Sequence, residues 1–147
     1  FGRIIDTDKS CPTLTFNTIG RHQSRLVRTR IASNKSPWLM NTKPGQIYTV
    51  PISHGEGRFI ADEKTLEQLI ANGQIATQYV DLDGNPTGDI RFNPNNSVFA
   101  VEGITSPDGR VFGKMGHSER IDRDLYKNVD GIFDMKMFES AVKYFEI

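Results

Sequence analysis

The chain has 147 residues, 37% of them apolar and 24% charged, ordinary proportions for one globular domain with a hydrophobic core. Eighteen basic side chains balance eighteen acidic ones, which argues against a nucleic-acid binder, where a basic excess or stripe is expected. The single cysteine excludes an internal disulfide framework and fits a reducing, cytoplasmic compartment, and no run of eighteen apolar residues offers a membrane span.

The opening "FGRIIDTDKS" lacks the basic and apolar regions of a signal peptide, and without an initial Met it reads as cut from something longer. The densest basic stretch, "RHQSRLVRTR" (21–30), has no interleaved aromatics and reads as a strand with one charged face. From Arg25 to Ile31, Val27, Thr29 and Ile31 share one face, and Leu26, Arg28 and Arg30 the other. "SNKSPWLMNTKPGQ" is a loop broken by Pro37 and Pro44-Gly45. "IYTVPISHGEGRF" is strand-like to Ser53 and then punctuated by Gly55 and Gly57; Pro51 predicts an edge position or a strand end.

"ADEKTLEQLIANG" is a short helix, with Asp62 as cap, Leu66, Leu69 and Ile70 as apolar stripe, and Asn72-Gly73 as stop. "QIATQYVDL" is a strand closed by the turn "DGNPTGD", and "RFNPNNS" is a loop. "VFAVEGIT" and "RVFGKMGH" form a hairpin through "SPDG". In the tail "DMKMFESAVKYFE", Met135, Phe138, Val142 and Phe145 recur at helical spacing, with Asp134 as candidate cap. Strands outnumber helices, and each helix is apolar on one side only, as in layers packed on a sheet. An α/β or α+β domain follows.

The stretch "GKMGHSER" (113–120) carries the clearest chemistry. His117 and Glu119 stand two positions apart after an apolar run, so on a strand they share a face. A carboxylate beside an imidazole fixes its tautomer and orients it as a base for a nucleophile. A histidine hydrogen-bonded for stability alone fits the same pattern. In "SHGEGR" the glycines around Glu56 let the backbone approach a ligand beside His54 or take positive φ; a plain tight turn explains them too. His22 has no acidic neighbour and reads as a surface residue. His54, Glu56, His117 and Glu119 show no metal-ligand spacing, no phosphate-cradling loop occurs, and no metal is expected. Cys11, in the polar loop "DKSCPTLTF", has no glycine-flanked turn or helix start to activate it, and Asp6 and Asp8 disfavour a thiolate. Ser10, Ser53 and Ser106 have no better local case.

The segments "PISHGEGRF", "NGQIATQYVD", "IRFNPNNS", "VEGITSPDGRVFGKMGHSER" and "KNVDG" occur in this order. Together they closely resemble the C-terminal glutaminase region of the phosphoribosylformylglycinamidine synthases, in their large single-chain form. That family belongs to the triad (class I) glutamine amidotransferases, and the resemblance covers residues 1–147 as the C-terminal part of a glutaminase domain. It implies a partial flavodoxin-like αβα sandwich lacking its N-terminal strands and nucleophile elbow, with an edge open to self-association. It maps the catalytic histidine onto His117, the orienting glutamate onto Glu119, and binding of the glutamine α-amino and α-carboxylate groups onto His54, Gly55 and Glu56. Where many relatives have proline after the histidine, this chain has Ser118, a departure touching loop rigidity rather than chemistry. The nucleophilic cysteine would precede Phe1, so the piece alone is expected to be inactive.

The implied partners are glutamine and the N-terminal glutaminase and synthase parts of the parent chain. ATP and Mg belong to that synthase part, a ligase of purine biosynthesis, and no cofactor to this piece. A non-catalytic, amidotransferase-like binding or regulatory module is the alternative. It is disfavoured because a structural remnant has no chemical need for the His117–Glu119 pair.

Overall fold

The computed structural model describes residues 11–146. Strand β1 (Thr13–Thr15) pairs antiparallel with β4 (Arg58–Ile60). The main sheet has five strands: β2 (Gln23–Ile31), β3 (Ile47–His54), β5 (Ile75–Tyr79), β6 (Val101–Thr105) and β7 (Phe112–Lys114), in the order β3-β2-β5-β6-β7. Every pair in it is antiparallel. Helices α1 (Glu63–Ala71) and α2 (Met137–Phe145) complete a mixed α/β architecture, the fold class expected for an amidotransferase piece.

The alternation in β2 comes out as read. Val27, Thr29 and Ile31 are buried and lie level with Val50, Tyr48 and the start of β3, where Val27 and Ile31 join Leu39, Ile52, Tyr79 and Met135 in the larger core cluster. The opposite face is less solvated than its arginines suggest. Arg28 donates to the Leu82 carbonyl at 2.6 Å, and Arg30 to Gln78 Oε1 at 2.9 Å. β3 is an edge strand, so Pro51, with no N–H to give a ladder, sits where its loss is tolerated.

Helix α1 begins on Asp62, which accepts the Thr65 N–H at 2.7 Å, and ends at Asn72 with Gly73 at φ +65°. Leu69 is buried beside Phe59, Ile75 and Val101, with Leu66 against them, but Ile70 faces solvent. The hairpin of β6 and β7 closes as expected: Ser106 accepts the Val111 N–H, and Gly109 takes φ +76°. Val98–Ala100 is not strand, however, but a tight 3-10 turn with Phe99 and Ala100 at positive φ, pinned where Gln78 donates to the Phe99 carbonyl.

The tail helix departs further from expectation. It starts at Met137, and Asp134 binds the Lys136 N–H and ammonium instead of serving as its N-cap. Phe138, Val142 and Phe145 are exposed. The packed side carries Ser140, whose hydroxyl accepts the Asn41 N–H, because a small residue is what lets α2 lie against the turn at Pro37–Leu39.

Candidate active site

The ends of the sheet curl toward each other. After β7 the chain crosses to the far edge strand, where the His117 N–H donates to the Pro51 carbonyl at 2.8 Å. The crossing passes through Gly116, where a Cβ would meet Val50 Cγ2 at 2.6 Å and Glu102 Oε1 at 2.8 Å. Only glycine permits this approach. It brings the residue after β7 to the edge strand that ends at His54.

His117 and Glu119 do meet: Nδ1 lies 2.8 Å from Glu119 Oε1. They do so across a turn, with the Arg120 N–H donating to the His117 carbonyl, and not on a strand, since β7 stops at Lys114. Two positions apart, the side chains reach one another in either setting. The imidazole is 29% exposed and the carboxylate 54%, so the pair is open to a ligand. Burial is the largest influence on Glu119 and raises its pKa; its own backbone hydrogen bond, the bond to His117, and the His117 and Arg120 charges together carry it below the usual glutamate value. With Nδ1 engaged by Glu119, Nε2 is the nitrogen free to exchange a proton.

His54 ends β3 and turns its ring back over Gly57, where a Cβ would lie 2.3 Å from Cε1 and 2.4 Å from Nδ1. Gly57 is therefore required for space, not for positive φ, which neither it nor Gly55 adopts. Gly55 faces open space. Burial pushes the His54 pKa below its ordinary value; its backbone hydrogen bond opposes this, while the neighbouring His117 and His22 charges reinforce it. His22 itself is exposed and meets Ser53 Oγ at 3.1 Å. Glu56 is exposed, and among the described residues no ion pair joins it to Arg58.

The supporting residues were not legible as such. Buried Asn17 staples the "SHGEG" turn, donating to the His54 carbonyl at 2.9 Å and accepting the Gly57 N–H at 3.2 Å, while its own N–H reaches the Gly55 carbonyl. Asn95 lies 3.4 Å from His54 Nε2 and donates to the buried Tyr79 hydroxyl at 2.8 Å. Beneath His117, the fully buried Glu102 carboxylate lies 3.2 Å from the Lys114 ammonium. Charged residues interrupting the two apolar strands of one hairpin are the signal that could have exposed that pair.

An apolar cavity of about 340 Å³ opens beside this network, lined by Pro12, Leu14, Phe59, Ile104 and Met115 among others. Cys11 stands next to Pro12 with its thiol directed at the Pro12 carbonyl, 3.5 Å away. Asp6, Asp8 and Ser10 lie outside the described residues. Among the described residues no three His, Cys, Asp or Glu side chains converge as a metal site, and no helix is long and apolar enough to cross a membrane.

A family model described as a CobB/CobQ-like glutamine amidotransferase domain matches residues 2–145. The phosphoribosylformylglycinamidine synthase subunit PurQ of Synechocystis is 42% identical over 72% of this chain and 46% of its own length. The PurQ subunit of Methanococcus maripaludis is 35% identical over 95% of this chain and 57% of its own. The chain thus spans about half the length of the curated relatives it matches. The solved structure of PurLQS from Thermotoga maritima superposes with a TM-score of 0.69 at 24% identity, over 92% of this chain and 54% of that one, a likeness of fold.

Proposed function

The chain belongs to the CobB/CobQ-like glutamine amidotransferase family, and on that premise we propose that it is the C-terminal part of a glutaminase domain, residues 1–147. Its parent is read as a single-chain phosphoribosylformylglycinamidine synthase. In that enzyme glutamine hydrolysis supplies ammonia for ATP-dependent amidation of formylglycinamide ribonucleotide in cytoplasmic purine biosynthesis. The observation that carries the reading is the 2.8 Å contact between His117 Nδ1 and Glu119 Oε1 inside a family that works by a cysteine, a histidine and a glutamate.

In this mechanism a thiolate supplied from outside these residues attacks the side-chain amide carbon of glutamine. His117, held by Glu119 through Nδ1, gives its Nε2 proton to the leaving ammonia and then takes one from the water that hydrolyses the thioester. His54, Gly55 and Glu56 hold the α-amino and α-carboxylate groups of glutamine. Open space at Gly55 and the exposed Glu56 carboxylate suit that task. ATP and Mg²⁺ are read as belonging to the synthase part of the parent protein, and no cofactor to this piece. The three-residue strand β7, with one neighbour in the sheet, is the edge for docking the N-terminal part or a second copy.

The test is the 147-residue chain by itself, which should release no ammonia from glutamine, while the protein that also carries the upstream glutaminase residues does so. Steady turnover by the chain alone, abolished by Cys11→Ala, would show the nucleophile misassigned. A complete protein without glutaminase activity would leave the non-catalytic module as the reading.

A further inference from the structure

We propose that the buried Glu102–Lys114 pair positions His117, making both of them positioning residues for the base; this rests on the role given to His117 above. The chain around His117 lies outside any strand, yet its backbone is held on every side. The Gly116 N–H donates to Glu102 Oε1 at 2.5 Å. The Gly116 carbonyl accepts from Lys114 Nζ at 2.9 Å, and the His117 N–H on the same peptide donates to Pro51. Both polar ends of the peptide plane that leads into His117 are thereby fixed. The following residue is fixed too, since Ser118 Oγ accepts from Lys114 Nζ at 3.1 Å.

The pair has no slack. Lys114 donates to the Gly116 carbonyl and to Ser118 Oγ, and its ammonium forms an ion pair with Glu102 Oε1 at 3.2 Å. Glu102 is bonded on its other oxygen by the Thr77 hydroxyl of the central strand β5, which ties the loop to the middle of the sheet. The absence of room for a side chain at Gly116 presses the loop onto this network.

Stability alone is a poor reason for such a pair. The carboxylate is 0% exposed and the ammonium 7%, and apolar residues of similar volume commonly match or exceed a buried ion pair in stability. What apolar residues cannot do is hold a particular peptide N–H and C=O in place. A buried network of charge-assisted bonds does so, and a base displaced by about 1 Å can lose about a hundredfold in rate.

The experiment uses the complete amidotransferase protein with Glu102→Gln, Lys114→Met and the double substitution. For each single variant we expect glutaminase kcat to fall at least about tenfold with KM for glutamine within about twofold. The double variant should be no worse than the poorer single, because the two act as one unit. The ¹⁵N shifts of the His117 ring should move away from the form with Nδ1–H held by Glu119. Unchanged kcat and ring shifts, whatever happens to the unfolding midpoint, would overturn the proposal, as would a rise in KM at constant kcat. Should Glu102→Gln fail to fold, Ser118→Ala, which removes the acceptor of Lys114 and a 3.7 Å hydrogen bond to Met135 Sδ, should lower kcat a few-fold and shift the ring in the same direction; an unmoved ring overturns the proposal. The ring shifts decide it even if the wild type proves to have no glutaminase activity, so the two readings fail separately.

Discussion

Gly57→Ala is the substitution whose effect follows most directly from the geometry. The new methyl would sit 2.3 Å from His54 Cε1, 2.4 Å from Nδ1 and 2.8 Å from Asn95 Nδ2, so the ring must retreat by about 1 Å to reach ordinary van der Waals separation. Retreat carries His54 away from Asn95, which Tyr79 holds from the other side. Overpacking of this kind costs about 1–3 kcal/mol, and the half-buried ring can swing outward, which favours the lower part of that range. Loss of the Asn95 contact adds roughly 0.5–1 kcal/mol. The total of about 2 kcal/mol corresponds to a fall of about 1 M in the urea midpoint at an m-value near ~2 kcal/mol/M. Gly55→Ala is the control, because nothing lies within 4 Å of its Cβ and its φ is not positive. It should stay within about 0.5 kcal/mol of wild type while raising KM for glutamine, since the methyl fills the space assigned to the ligand. Equal midpoints for Gly57→Ala and wild type, or equal damage from both alanines, would show that the His54 ring does not lie over Gly57.

His54 should make stability depend on pH. Its folded pKa lies below the unfolded value of 6.5, so the unfolded chain binds the proton first, and stability should fall as pH drops from about 6.5 toward the folded value. His54→Gln should flatten the urea midpoint across that window; an unchanged slope contradicts the burial assigned to the ring. Glu119, also depressed, acts lower: its contribution is full above its unfolded value of 4.5 and is lost as pH falls through the folded one, a step that Glu119→Gln should remove from an acid titration. On α2, Phe138→Gln and Val142→Gln should each change stability by no more than about 0.5 kcal/mol, because both side chains are exposed; a large drop in melting temperature would place that face inside the fold.

Where residue pattern and burial obey one rule, the sequence was readable. Val27, Thr29 and Ile31 alternate because one face of β2 is covered and a one-residue slip would turn all three outward. Pro51 marked an edge, and Asp62 with Asn72-Gly73 marked the ends of α1, since each acts on local backbone hydrogen bonds. Of the tail's helical stripe Met135 is buried in the core, but within α2 it is Ser140, not Phe138 or Val142, that faces the protein. "RFNPNNS" read as a solvated loop on its polar residues. Yet Asn93, Asn95 and Ser97 are buried: Asn93 and Ser97 satisfy backbone groups of their own loop and of β4, and Asn95 reaches the His54 ring and the Tyr79 hydroxyl. The contact between His117 and Glu119 was legible from spacing alone. What presents it was not: the curl of the sheet, the close passage at Gly116 and the buried carboxylate of Glu102 depend on residues far apart in the chain.

The most direct measurement is made on the complete protein carrying His117→Ala, comparing product formation driven by glutamine with that driven by added ammonia. The glutamine-driven rate should fall by at least about a thousandfold while the ammonia-driven rate stays within about twofold of wild type. A glutamine-driven rate close to wild type would contradict the role given to His117.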